Sequence, residues 1–170
     1  MNYWIISSNE EIFHLEDMLK THDVVDWRQF NNFEVGDIVY IYNSKPHRRI
    51  RYKMQVIRTD VPSSEYLNDS KYWVDKHNLE DGLKHNRYVR LQLLTKEPEG
   101  GGPSFDFLRQ NGLKGNLQSA VRILDSALLR NIRNKKPNKK DATLQSLVYT
   151  LRFLQDHKVK RNGHLVKWTQ

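Results

Sequence analysis

The sequence has no cysteine in its 170 residues. Disulfides, thiolate metal sites and a cysteine nucleophile are thereby excluded together, and a reducing compartment is compatible with the chain. It also lacks any apolar run of membrane-spanning length, and Met1 leads straight into the strand-like YWII without the basic and apolar segments of a secretory leader. A cytoplasmic protein with no membrane partner is expected. The seven histidines (14, 22, 47, 77, 85, 157 and 164) show no HxH or HExxH spacing and no acidic cluster accompanies them, so a zinc or magnesium hydrolase is not expected. Nucleophile elbow, Walker loop and dinucleotide fingerprint are missing as well, and GGGPS lacks the strand and helix context that a phosphate loop needs. No cofactor is implied.

What the chain does have is positive charge. Its 28 Lys+Arg against 20 Asp+Glu give +8 and a pI near 9.6, a balance that favours a polyanionic partner. The charge is concentrated in YNSKPHRRIRYKMQV (42–56), which reads as two strands around a turn, with Lys45, His47, Arg48, Arg49, Arg51 and Lys53 as candidate phosphate contacts. The same stretch read blandly is a solvated hairpin. A second basic group, Arg130, Arg133, Lys135, Lys136, Lys139 and Lys140, belongs to an exposed helix and a linker.

Periodicity indicates mixed α and β structure. Tyr3–Ser7 is a short strand, and Ser8 with Glu11 has capping-box spacing for a helix that would carry Ile12, Leu15, Met18 and Leu19 inward. Val24, Val25 and Trp27, a Gly36-Asp37 turn, a strand at 38–42 and an alternating strand at 50–57 follow. A helix is expected around 66–74, a strand at 87–95, a short helix capped by Ser104, and another in DSALLRNIRN. NKKPNKKD marks a basic linker at 134–140, which separates a domain at 1–133 from a C-terminal helix and short tail at 141–170.

YWIISSNE at the start, VDW some way on, and FEVGDIVYIYN before a basic-edged strand together resemble the EVE domain of the PUA-like superfamily. The set is most like the version that precedes HNH-type nucleases acting on modified DNA, in which a GLxGxxQSxxRI segment follows; here it is GLKGNLQSAVRI. The likeness covers residues 2–124. It implies an α+β fold, a PUA-like bent and partly open β-barrel with flanking helices, to which the C-terminal helix is an appendage. It also implies a pocket for one flipped base, often a modified one such as 5-methylcytosine in DNA. Unstacking a base costs free energy, which stacking on aromatic faces and hydrogen bonds to the base edge must offset. Trp27, Tyr42, Tyr52 and Trp4 can supply faces; Ser7, Ser8, Asn9, Asp26 and Asn43 can supply polar groups. Trp4 also fits a strand core, Ser8 a helix cap, and Asp26 a pair with Arg28.

Asp156-His157 followed by Asn162 resembles part of an HNH motif but lacks its final histidine and the length of a ββα-metal nuclease. The expectation is a non-enzymatic nucleic-acid reader, DNA or RNA, that works alone or with a separate effector protein. The alternatives are a small nuclease or base-processing enzyme, and a protein-interaction module that docks through the helix at 141–157.

Overall fold

The computed structural model describes residues 1–84 and 86–135. The C-terminal helix and tail expected at 141–170, and all but the first two residues of the expected linker, lie outside the described residues. Six strands form one mixed sheet: β1 (Tyr3–Ser8), β2 (Val24–Arg28), β3 (Ile38–Asn43), β4 (Arg49–Val61), β5 (Tyr88–Lys96) and β6 (Val121–Arg122). Their order is β2-β5-β4-β3-β1-β6. β1 runs parallel to β3, and every other neighbouring pair is antiparallel. The class is α+β, as expected. The sheet is an open ladder, and its edge strands β2 and β6 do not pair with each other among the described residues.

β4 sets the shape. Its register slips against β3 between Ile41 and Tyr42, and against β5 at three places. Each bulge bends and twists a strand that would otherwise be flat. The first slip also changes which face neighbouring side chains serve, because Tyr52 pairs with Ile41 and Ile50 with Tyr42, leaving Arg51 over. Tyr52, Met54 and Val56 consequently join Trp4, Ile6, Val25, Val39, Ile41, Val89 and Leu91 on one face. Ile50, Tyr40 and Tyr42 join Ile5 on the other, under Leu108, Leu113, Leu128 and Ile132. The covering helices on that side are α3 (Phe105–Gln110) and α4 (Ser126–Asn134). Ser104 caps α3 by accepting from Phe107 N at 3.2 Å, and Asp125 caps α4.

Two positions need glycine. Gly36 has φ +94° in the turn before β3, and a Cβ on Gly102 would sit 2.0 Å from the Ile50 carbonyl oxygen. Next to the first of these, fully buried Asp37 accepts from Asn2 N (2.6 Å), Trp4 Nε1 (2.9 Å) and Glu34 N (3.1 Å). Burial pushes that carboxyl up, but the donors around it outweigh burial and hold its pKa below the usual value.

The helix expected after Ser8 is much shorter than its pattern. Only Leu15–Met18 is helical (α1), with no side-chain cap, and Ile12 is exposed. Ser8 instead ends β1, and Asn9 Oδ1 accepts from Glu11 N at 3.0 Å in a turn. The helix expected at 66–74 is also replaced: two 3-10 turns, 63–65 and 70–72, precede a helix α2 at Lys76–Leu83. Among the described residues no helix is long and apolar enough to cross a membrane.

Candidate binding pocket

The end of β1, the end of β2 and the 3-10 segment enclose a pocket of about 550 Å3, within the ~300–1,000 Å3 common for small-molecule sites. Its walls include Trp27, Tyr66, Trp73 and Phe13, with Ser7, Ser8, Asn9, Asp26 and Arg28 between them. Trp27 is delivered by β2, where it stands opposite Val89 of β5. Phe13 stacks obliquely on Trp73 at 5.0 Å between centroids, and the two residues form an isolated β-bridge.

The aromatic walls are held by their polar tips. Asp69, 2% exposed, accepts from Trp73 Nε1 at 2.9 Å and from the Tyr66 hydroxyl. Burial raises the Asp69 pKa despite those two donors, and burial together with the Asp69 charge raises that of Tyr66. Both rings are thus fixed by one buried carboxylate that keeps their N–H and O–H groups occupied.

Asp26 is held as firmly. Its side chain is fully buried and receives Arg90 in a fork, Nε to Oδ1 and Nη2 to Oδ2, both at 2.8 Å. Oδ2 also accepts from Leu67 N at 2.9 Å, so the carboxylate ties β2 to Arg90 of β5 and to the segment at Leu67. Arg90, rather than Arg28, is the partner of Asp26. Arg28 lies 5.9 Å from the Trp73 ring centroid and donates to the Asn78 carbonyl at 3.3 Å, and among the described residues it is the sole cation lining the pocket. The Ser8 hydroxyl is buried and has no hydrogen-bond partner among the described residues. An orphan hydroxyl in a wall carries a desolvation penalty that a bound polar group can relieve.

Five of the nine residues expected at a base pocket, Trp27, Asp26, Ser7, Ser8 and Asn9, do line one cavity. The other four lie in the body of the fold. Trp4 is core, tied to Asp37 and tilted against Phe33 at 4.7 Å. Tyr42 is buried on the opposite face, 6.0 Å from Phe105. Tyr52 is wholly buried, and burial, with Glu16 and Glu10 close by, pushes its phenol above the usual range. Asn43 is buried and donates to Glu10 Oε1 at 3.1 Å.

The basic hairpin is likewise turned inward at several points. Arg51 is the largest departure from expectation: the bulge leaves it 2% exposed, with Nη2 3.5 Å from Glu16 Oε2, so no phosphate outside the protein can reach it there. His47 lies 3.9 Å from the same carboxylate, and burial plus the Arg51 charge lower its pKa, which leaves it neutral at physiological pH. Arg49 donates to the carbonyls of His47 and Gly100. Lys45 is exposed and pairs with Glu11 at 3.0 Å, Arg48 is exposed near Tyr42, and Lys53 is half-buried.

Tyr66, Trp73, Phe13, Arg28, Asn78, Leu117 and Gln118 were not among the expected site residues. A signal existed for some of them. SEYLNDSKYWVD places three aromatics in a polar stretch with no strand or helix period, and Leu117 and Gln118 belong to the GLKGNLQSAVRI segment that carried part of the resemblance. Among the described residues no three His, Asp or Glu side chains converge as a metal site would require.

Solved structures share this fold. A point mutant of ZmASCH from Zymomonas mobilis is similar with a TM-score of 0.57 at 13% identity, over 78% of this chain and 97% of that one. The Pseudomonas syringae protein PSPTO5229 gives 0.54 at 16% identity, over 77% and 97%. A Pseudomonas putida protein gives 0.51 at 17%, over 77% and 97%. No curated protein matches. Residues 2–99 match the EVE domain, a PUA-like type whose members generally bind nucleic acids. The chain belongs to the EVE-domain family.

Proposed function

We propose that this domain reads nucleic acid by taking a single base, in particular a modified one such as 5-methylcytosine in DNA, into the pocket between Trp27, Tyr66 and Trp73. The observation that carries the reading is the paired tether of Trp73 and Tyr66 to Asp69, which offers aromatic faces in a cavity while hiding the polar tips of both rings. Stacking on such faces is worth roughly 1–3 kcal/mol per base. The lining charge supports the same class of ligand: Asp26 is neutralised by Arg90, whereas Arg28 forms no ion pair among the described residues, so a neutral base attached to a phosphate suits the site better than a cation does.

In this reading Trp27 and Trp73 stack on the base, Asp26, its charge met by Arg90, shapes the wall beside it, and the Ser8 hydroxyl meets a ring heteroatom. Ser7 and Asn9 complete the floor. An added methyl is recognised by apolar wall contact, worth about 0.8 kcal/mol per buried carbon. Lys45, Arg48 and Lys53 contribute at most to backbone attraction. The domain has no catalytic role of its own, and any cleavage is supplied by a separate effector protein.

The test is a titration of short DNA and RNA oligonucleotides, unmodified or with one modified base, at two salt concentrations. One modification in one sugar series should bind several-fold to about tenfold tighter than its unmodified parent, with the ratio independent of salt. Equal affinity for all sequences, with strong salt dependence alone, would leave a backbone binder and remove the base pocket.

A further inference from the structure

We propose that the end of β1 away from the pocket is a docking surface for another protein, one that presents acidic side chains around an apolar anchor. The proposal stands apart from base reading and uses none of the pocket residues.

Three of the four most exposed large hydrophobics among the described residues meet at this end: Leu124 (82% exposed), Met1 (74%) and Val35 (65%). Scattered apolar side chains are ordinary on a protein surface, whereas neighbouring ones mark contact sites. Backbone pairing makes these three neighbours. β6 runs antiparallel to β1 with Arg122 opposite Trp4, and the Ile123 N–H donates to the Tyr3 carbonyl at 2.7 Å, which carries Leu124 alongside Asn2. Asn2 N donates to Asp37 Oδ1 at 2.6 Å and Glu34 N to Asp37 Oδ2 at 3.1 Å, so the turn that bears Val35 folds back against the residue after Met1. From Asn2 to Ser8, the pocket residue that ends β1, the strand rises by about 20 Å.

Cations border these side chains. Arg122 and Arg133 are exposed and form no ion pair among the described residues. Arg122 lies 5.8 Å from the Trp4 ring centroid and donates to Asn2 Oδ1, while Arg133 lies 4.6 Å from the Tyr3 ring centroid and donates to the Tyr3 hydroxyl. Neutral groups thus hold both guanidiniums in place without cancelling their charge. Asp37 is buried and Asp125 caps α4, which leaves the exposed Glu34 set against two arginines.

The chemistry selects the occupant. Aliphatic side chains beside pre-ordered arginines suit a protein contact, in which apolar anchors are buried, charged rims pair and little side-chain freedom is lost. A phosphate backbone has no apolar group for Leu124 and Val35 to cover. A second copy of this chain, at +8, brings charge of the wrong sign.

The test is a selection of random short peptides displayed on phage against the parent full chain, with counter-selection on Leu124→Ser. Enriched peptides should be net negative and carry Leu, Phe or Met. Synthesised and titrated, they should bind Leu124→Ser about tenfold more weakly than the parent, bind Arg122→Gln about threefold or more weakly, and change by less than about twofold with Trp27→Ala. Thermal melting checks that the variants are folded, as exposed side chains permit. No enrichment, neutral or basic peptides, or equal affinity for Leu124→Ser would overturn the docking surface. A dimer in sedimentation velocity that Leu124→Ser abolishes would give the surface to a second copy, and a short DNA duplex that loses affinity with Leu124→Ser would give it to nucleic acid; either result would overturn the acidic partner.

Discussion

The turn between β3 and β4 and the pocket at the end of β2 make opposite use of their conspicuous residues. The turn is dense in cations, yet Arg51 and His47 face Glu16, Arg49 holds the carbonyls of Gly100 and His47, and Lys45 pairs with Glu11. The pocket is thin in charge, yet its aromatic walls are held in place because their polar tips are tied elsewhere, Trp73 and Tyr66 to Asp69. Availability, rather than abundance, separates the two. A cation turned into the protein is out of a ligand's reach, whereas a ring whose polar tip is engaged behind it can still line a cavity.

The sharpest way to break that contrast is Trp27→Ala. Affinity for an oligonucleotide with the preferred base should fall by about 1–3 kcal/mol, and the preference over the plain base should largely vanish. Trp27→Phe should keep most of both, with melting curves confirming the fold. Unchanged preference in a folded Trp27→Ala protein would take Trp27 out of the site and reopen the turn as the reader.

Arg51→Ala comes next. Its guanidinium is buried and serves Glu16 from inside, so its loss should cost about 1–3 kcal/mol of stability in chemical denaturation while leaving base preference unchanged. Normal stability with weakened binding would show an arginine that reaches the ligand.

Asp69→Asn tests the tether through pH. The Asp69 pKa is raised in the folded state, chiefly by burial, so the folded protein binds this proton more readily than the unfolded chain does. Its titration therefore favours the fold at pH below the unfolded value, and that advantage is lost as pH rises through the folded value. The stability of the parent relative to Asp69→Asn should accordingly increase on acidification from neutral pH, and base preference should weaken in the variant at neutral pH. A gap that closes on acidification would mean that the carboxylate is favoured ionised in place. The smallest effect is expected for Lys45→Gln: less than about 0.5 kcal/mol in stability, since its pair with Glu11 is exposed. Any loss of affinity should be uniform over sequences, with the salt slope flatter by at most about 0.7–0.9.

Much of the sheet was legible because its strands carry period-two patterns between turn residues, and Trp27 stood out as an aromatic between Asp26 and Arg28. What was hidden depended on pairing. The bulge that turns Arg51 inward is a register slip between β3 and β4, and neither strand announces it alone. The parallel pairing of β1 with β3 sets Ser8 beside Asn43 at the ends of the two strands, which local spacing does not encode. Asp26 finds Arg90 only because β2 and β5 are neighbours, although Arg28 is closer in sequence. Tyr66 and Trp73 each follow directly on a 3-10 turn, whose short reach leaves no period to detect, and their meeting on Asp69 is a tertiary event. The α1 pattern promised a longer helix, but the chain turns at Asn9 and leaves Ile12 at the rim of the pocket.

The most direct measurement is an NMR titration that follows tryptophan indole N–H signals as a short modified oligonucleotide, and then its unmodified twin, is added. Trp27 and Trp73 should shift, and differently for the two oligonucleotides, while Trp4, locked to Asp37 in the core, should stay in place. Shifts that depend on the modification but fall on residues 45–53, with Trp27 and Trp73 unmoved, would contradict the account.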